Sequence, residues 1–340
     1  MRDQFGRDIT YMRVSVTDRC NLRCVYCMPE EGVPCVSHQE ILRFDEIARI
    51  CRIGAELGIT RIKLTGGEPL VRRGLAELTG MLKAIPGIEQ VTLTTNGTLL
   101  KGQIRELVSR GIDAVNISID TLDPQRYRQI TRCGCLQDAL EGLDAACACP
   151  EIEVRVNCVP LTNVEYGAGA EEEYIRLALL AKERRIDVRF IEMMPIGMGK
   201  EFAGRTGADI LKILERQFGR AEKVEGTVGN GPASYVHFAG MKGRIGLIRA
   251  VTHQFCDRCN RIRLTSEGLL KPCLQYGTGT DLRAVLREGT EGKKTDEQLR
   301  EAMRLAVYEK PASHCFGQET ANAGGNAGAL ELKEMSQIGG

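Results

Sequence analysis

Short apolar runs alternate with longer amphipathic stretches over the first two-thirds of the chain, and this alternation predicts the architecture. Tyr11–Thr17, Arg61–Thr65, Gln90–Thr95, Ala114–Ile119, Glu153–Val159 and Asp187–Glu192 are rich in Val, Ile, Leu and Thr and bounded by polar or glycine-containing segments, the pattern of strands. Between the first two, Phe44–Leu57 repeats Ile47, Ile50, Cys51, Gly54 and Leu57 near helical spacing. Leu75–Ala84, Gln103–Ser109, Gln137–Ala148 and Glu171–Glu183 read the same way. Six strand-then-helix units predict a parallel sheet with crossover helices, either an open sheet or a partial barrel. Both place their chemistry at the C-terminal ends of the strands.

Beyond about Gly197 the pattern changes. Ala208–Phe218 reads as a helix, Gly226–Pro232 as a glycine-rich loop, and Ala233–Phe238 and Arg244–Ala250 as strands. Asp296–Tyr308 is helical, and the tail from Gly317 to Gly340 has the Gly, Ala and Asn content of a disordered end. The organisation expected is a β/α unit over 1–197 and a C-terminal region over 198–340.

At 340 residues the chain is long for one compact unit, although α/β barrels reach this size. Hydrophobic residues make up 43%, enough for a sizeable core. Basic and acidic residues number 46 and 45, so net charge gives no sign of a nucleic-acid or membrane partner, and any basic character that matters is local. No apolar run approaches a membrane span. The opening Met1-Arg2-Asp3-Gln4-Phe5-Gly6-Arg7-Asp8 has no signal-peptide core, and the fourteen cysteines read as thiols of a reducing cytoplasm, several of them metal-binding.

The cysteines carry the strongest signal. Cys20-Asn21-Leu22-Arg23-Cys24-Val25-Tyr26-Cys27 follows the first predicted strand with C-x3-C-x2-C spacing, a sulfur-rich set suited to iron–sulfur or zinc. Three ligands on a four-iron cluster leave one iron open, as a catalytic centre requires. The plainer alternative is half a zinc site completed by a distant ligand such as His38. Cys256-Asp257-Arg258-Cys259 with Cys273 forms a second trio, C-x2-C-x13-C, which zinc would also suit with His253 as fourth ligand. In an extended Asn260-Arg261-Ile262-Arg263, both guanidinium groups share one face, a pair suited to phosphate oxygens or else an ordinary solvated surface. Thr65-Gly66-Gly67-Glu68-Pro69, Thr94-Thr95-Asn96-Gly97 and Asn116-Ile117-Ser118-Ile119-Asp120 end the second, third and fourth strands with small polar groups. Singly these are turns and caps. Their recurrence at successive strand ends marks a site.

Cys-x3-Cys-x-Tyr-Cys followed by Gly66-Gly67-Glu68-Pro69 resembles the radical S-adenosylmethionine (SAM) superfamily. The longer strings Arg13–Cys20, Leu64–Pro69 and Cys256–Arg263, with the terminal Ile338-Gly339-Gly340, resemble the GTP 3′,8-cyclase family of molybdenum-cofactor biosynthesis. The match runs from about residue 5 to the last glycine. The resemblance implies an incomplete (β/α)6 TIM-like barrel with a C-terminal α+β region covering the open side. It implies two [4Fe–4S] clusters, one on Cys20, Cys24 and Cys27 and one on Cys256, Cys259 and Cys273, with SAM on the first and GTP on the second. SAM contacts carry over to Tyr26, Gly67, Ser118 and Met194, although Met194 alone reads as a core residue. GTP contacts carry over to Arg13, Lys63, Thr94, Arg155, Arg261, Ile262 and Arg263. The family often has arginine where Lys63 stands and lysine where Arg155 stands, swaps that keep charge and change donor geometry.

The activity implied is radical conversion of GTP to (8S)-3′,8-cyclo-7,8-dihydroguanosine 5′-triphosphate: a 5′-deoxyadenosyl radical takes the ribose 3′ hydrogen and the new radical attacks guanine C8. Arg13, Arg261, Arg263, Gly339 and Gly340 are the implied catalytic set, with the two glycines reaching back into the site. The implied partners are an electron donor, cyclic pyranopterin monophosphate synthase as the next enzyme, and a second copy in a homodimer. The other eight cysteines, Cys133-Gly134-Cys135 and Cys147-Ala148-Cys149 among them, match no ligand position and are expected to be small hydrophobes or incidental thiols. Two alternatives share part of the pattern: a peptide-modifying radical SAM enzyme with an auxiliary cluster, and a non-catalytic zinc or iron–sulfur protein.

Overall fold

In the computed structural model, residues 1–162, 170–226, 229–288, 293–316 and 330–339 are described. Six strands alternate with helices as the pattern predicts: β1 (Tyr11–Ser15), α1 (Phe44–Glu56), β2 (Arg61–Thr65), α2 (Leu75–Lys83), β3 (Gln90–Thr95), α3 (Ile104–Ser109), β4 (Ala114–Ser118), α4 (Pro124–Thr131), α5 (Leu136–Cys147), β5 (Glu153–Cys158), α6 (Ala170–Glu183) and β6 (Asp187–Ile191). Helix α1 starts where the Glu46 carboxylate accepts the Arg43 backbone N–H at 2.7 Å, and it buries Ile47, Ile50, Cys51 and Ile53. Helix α4 is additional to the helices read from periodicity. Its signal is Asp123-Pro124: the aspartate accepts from Arg126 N at 2.7 Å, and proline fits the first helical position.

The C-terminal region supplies α7 (Gly207–Phe218), β7 (Glu222–Lys223), β8 (Ser234–His237), β9 (Ile245–Ile248), β10 (Arg261–Leu264), β11 (Leu269–Lys271), β12 (Thr280–Asp281), α8 (Leu282–Glu288), α9 (Lys293–Tyr308) and α10 (Met335–Ile338). All the strands form one sheet in the order β12-β11-β10-β1-β2-β3-β4-β5-β6-β9-β8-β7. From β10 to β9 every pairing is parallel, whereas β11–β12 and β8–β7 are added antiparallel. The α/β class and the incomplete barrel are therefore as expected: the ends of the sheet, β12 and β7, are not joined. The C-terminal region does more than lie over the opening, because β10 and β9 extend the parallel sheet at both edges. The two outermost strands are only two residues long, which leaves little free edge for stray pairing.

Alternation along the strands sorts the side chains. Met12, Val14, Ile62, Leu64, Val91, Leu93, Val115, Ile117, Val156, Val188, Phe190, Ile262 and Leu264 face the helices and form the core. The intervening residues face the barrel interior. The tail departs from the disorder its composition predicts: residues 330–339 fold back on the body, with Ile338 packed beside Ile196 and Phe316. Residues 317–329 and Gly340 lie outside the described residues, as do residues 227 and 228 of the glycine-rich loop. Among the described residues no helix is long and apolar enough to cross a membrane.

Candidate active site

A cavity runs through the barrel, from Gln90, Ala114 and Glu153 at strand starts to Thr95, Ser118 and Asp120 at strand ends. Its wall includes both cysteine trios and Arg13, Tyr26, Lys63, Gly67, Thr94, Ser118, Arg155, Met194, Arg261 and Arg263. The structure thus gathers residues spread from position 13 to 273 around one space. Ile262 is the exception: the residue is 1% exposed, packs in the core and does not line the cavity. Gly339 is reached through Arg263, whose Nη1 donates to its carbonyl at 3.0 Å. Gly340 lies outside the described residues.

The first trio sits on the loop after β1. Cys27 N donates to Cys24 O at 2.9 Å and Leu22 N to Cys20 Sγ at 3.4 Å. The C-terminus of α4 holds the loop: Arg23 N reaches Thr131 O at 3.1 Å and Val25 N reaches Ile130 O at 2.9 Å. Arg132, the one non-glycine residue with positive φ among those described, donates to the carbonyls of Arg23 and Met28. Tyr26 is fixed by its hydroxyl, which donates to Asp120 at 2.6 Å. The Gly66-Gly67 pair has a steric reason: a Cβ on Gly67 would lie 2.5 Å from Arg19 O, and one on Gly66 2.6 Å from Thr17 O. Next to them Glu68 accepts from Thr95 Oγ1, Asn96 N and Leu70 N, while burial still pushes its carboxyl up to about 7.

The second trio is arranged by the turn Cys256–Arg258 and by Cys273 beyond β11. His314 N donates to Cys256 Sγ at 3.5 Å, and Arg7 Nη1 donates to Cys256 O at 2.7 Å. Lys310 Nζ donates to Arg261 O at 2.9 Å and also to Pro272 O, tying the strand of the arginine pair to the segment of Cys273.

The donors suit clusters. Burial pushes Cys20 up to about 11, Cys27 up to about 12 and Cys24 well above its ordinary value, so near neutral pH these thiols stay protonated unless a cation is bound among them. Burial also raises Cys259, but Arg261 and Lys310 beside it outweigh this and bring it down to about 7. Among the described residues no three His, Cys, Asp or Glu side chains converge on a point that one metal ion could occupy. Thiol-only donor sets of three are the ligand type of iron–sulfur clusters.

Cations fill the interior of the barrel. Arg263, Arg13 and Lys63 lie side by side on β10, β1 and β2, and Arg155 and Arg189 stand on β5 and β6. Burial, then Arg189, Arg13 and Arg155, depress Lys63 well below its ordinary value. Burial, then Arg13 and Arg261, do the same to Arg263. Carboxylates offset this field only locally: Arg155 pairs with Glu153 and lies 3.7 Å from Asp187. The sequence reading missed Arg189, which donates to Asn157 Oδ1 at 2.9 Å and to Asn116 Oδ1. Two signals were present. Arg189 interrupts an apolar strand at an inward position, and the neighbouring strand has Gly246 where a Cβ would come within 2.7 Å of Arg189 Cγ. Of the other thiols, Cys51 and Cys158 are buried, while Cys35, Cys133 and Cys135 are exposed.

Comparison with known proteins gives the family and the fold. The Radical SAM superfamily profile matches residues 14–166, and the Molybdenum Cofactor Synthesis C profile matches residues 186–316. GTP 3′,8-cyclase of Heliobacterium modesticaldum is 45% identical over 343 aligned positions, covering 100% of both chains. GTP 3′,8-cyclase of Clostridium perfringens is 42% identical, covering 93% of this chain and 95% of its own. Among solved structures, Streptococcus suis SuiB bound to precursor peptide SuiA has a TM-score of 0.61 at 14% identity, over 98% of this chain and 71% of its own, which is a likeness of fold.

Proposed function

The chain belongs to the GTP 3′,8-cyclase family of the radical SAM superfamily, and we propose that it converts GTP to (8S)-3′,8-cyclo-7,8-dihydroguanosine 5′-triphosphate, the first step of molybdenum-cofactor biosynthesis. The observation that carries the reading is the juxtaposition, around one cavity, of two three-thiol sets with a layer of inward-facing cations. Superfamily membership implies a [4Fe–4S] cluster and SAM. When bound, they would supply a 5′-deoxyadenosyl radical to remove the ribose 3′ hydrogen; addition of C3′ across the C8–N7 double bond would then need one electron and one proton from the donor to give the dihydro product.

The chain's own residues hold and orient. Cys20, Cys24 and Cys27 would anchor the first cluster, with Tyr26, Gly67, Ser118 and Met194 around SAM. Cys256, Cys259 and Cys273 would anchor a second cluster facing the guanine. Arg13, Lys63, Thr94, Arg155, Arg261 and Arg263 would grip GTP. Mutually repelling buried cations are relieved by a polyanion, and a triphosphate supplies several charges along one short chain. Fixing C3′ beside C8 favours closure over the radical's other fates. Gly339 would complete the wall near Arg263, and Gly340, which lies outside the described residues, would be its partner in the catalytic set. In this reading residues 1–197 form the radical SAM partial barrel, and 198–340 form the C-terminal region that carries the second thiol set and the Gly-Gly tail. The protein would work in the cytoplasm as a homodimer, take electrons from a donor protein and pass its product to cyclic pyranopterin monophosphate synthase.

Anaerobic incubation of iron-reconstituted protein with SAM, a reductant and GTP is expected to yield 5′-deoxyadenosine and the cyclic nucleotide together. Deoxyadenosine without a GTP-derived product would exclude the substrate assignment and favour a peptide-modifying relative.

A further inference from the structure

The C-terminal segment touches two neighbouring cations of the sheet at once. Arg263 on β10 and Lys271 on β11 are register partners in an antiparallel pair. Directly opposite residues project from the same face, and like charges there repel. Both side chains take an acceptor from residues 330–339. Fully buried Lys271 is ion-paired with Glu331, and Arg263 Nη1 donates to Gly339 O at 3.0 Å. The other Glu331 oxygen accepts Leu332 N at 3.0 Å and Lys333 N at 2.8 Å, so its carboxylate is fully engaged.

Around this pair the segment is pinned along its length. Glu331 N donates to Gln275 O at 2.7 Å, Lys333 pairs with Glu267, and the Glu334 carboxylate accepts Met198 N at 2.8 Å. At the far end Gly339 has φ of +74°, and a Cβ there would stand 2.7 Å from Ser15 Cβ and 3.0 Å from Thr65 Oγ1. The chain is therefore wedged between the ends of β1 and β2, where only glycine fits.

We propose that Lys271 and Glu331 are positioning residues: their buried ion pair latches the C-terminal segment, and the latched segment in turn holds Arg263 through the Gly339 carbonyl. This rests on the cyclase reading only for its kinetic consequence. Removing the charge of one partner leaves the other buried and unpaired, whereas neutralising both leaves no unpaired charge, and glutamine at 331 keeps an oxygen for Leu332 N and Lys333 N.

The test uses full-length protein reconstituted with iron and sulfide, comparing wild type with Glu331→Gln, Lys271→Met and the double variant Lys271→Met/Glu331→Gln. Hydrogen exchange over residues 330–339 is the first readout; turnover of GTP and iron content are the second and third. In the wild type these amides are expected to be protected. Each single variant should exchange there about tenfold faster or more and lose about ten- to a hundredfold in kcat at unchanged iron content, and the double variant should recover most of both losses. Unprotected amides in the wild type, a Glu331→Gln protein with native exchange, or a double variant no better than the singles would each overturn the latch. If exchange behaves as stated but no protein, wild type included, converts GTP, the cyclase reading fails and the latch stands.

Discussion

Lys63 is the sharpest test of the cation layer, because stability and binding pull on it in opposite directions. It is buried at the third position of β2 between Arg13 and Thr92, and it has no ion-pair partner among the described residues. An unpaired buried charge costs several kcal/mol even after relaxation. Lys63→Met keeps the length, removes the charge and should raise ligand-free stability by about 1–3 kcal/mol, or about 1–4 °C in Tm. In the complex the same ammonium would face phosphate oxygens, a charge-assisted contact of about 1.5–3 kcal/mol, and losing it weakens GTP at least about tenfold. At GTP 100-fold above the wild-type Kd, wild type gains about 2.7 kcal/mol, and a variant binding tenfold more weakly gains about 1.4. Scanning fluorimetry of reconstituted protein should therefore show the variant melting higher without GTP and shifting less with it.

A pH series adds a check on sign. The folded pKa of Lys63 lies well below 10.5, so between that depressed value and 10.5 the unfolded state binds the proton that the folded state has released. Wild-type stability accordingly rises with pH across that window, and Lys63→Met should remove this contribution. A variant with a lower Tm and an undiminished GTP shift would refute the account of the layer.

Gly246→Ala should drive its methyl against Arg189 Cγ and the Tyr235 ring, lowering stability by about 1–3 kcal/mol and raising the KM for GTP several-fold, read by melting and steady-state assay. In cluster-free protein, iodoacetamide should label Cys259 with a midpoint near pH 7 and Cys27 only at far higher pH, and Arg261→Met should move the Cys259 midpoint up; mass spectrometry of timed samples reports both. Cys273→Ser should roughly halve the iron bound after reconstitution while leaving SAM affinity near wild type, because the first trio is untouched; complete loss of iron would mean that the two sets are not independent.

Elements whose faces differ sharply in polarity were legible in the sequence. The strands Arg61–Thr65 and Gln90–Thr95 match the predicted boundaries, and the alternation expected at Arg261–Arg263 is present, with Ile262 in the core between two inward arginines. Elements stabilised mainly by distant partners were not. The two-residue strands β7 and β12 carry no periodicity of their own, and α10 forms where Ile338 meets Ile196 and Phe316, far away in sequence. Composition misled for the tail because it measures local preference, whereas residues 330–339 are held by Lys271, Arg263, Gln275 and Met198. For the site, cysteine spacing exposed both thiol sets, but Arg189 had no motif around it and emerges only from strand register beside Gly246.

The pairing of β10 with β1 also bears on how the protein is made. Thr10 and Asn260, which meet at that seam, are 250 residues apart in the chain. At about 5–20 residues per second, a ribosome leaves the outer edge of β1 without its neighbour for roughly 12–50 s. During that interval the loop with Cys20, Cys24 and Cys27 already exists on the strands that support it, while the wall bearing Cys256, Cys259 and Cys273 does not. On the reading proposed above, the nascent half-barrel would offer the first thiol set to an incoming cluster from an open side, before the last third of the polypeptide closes around it.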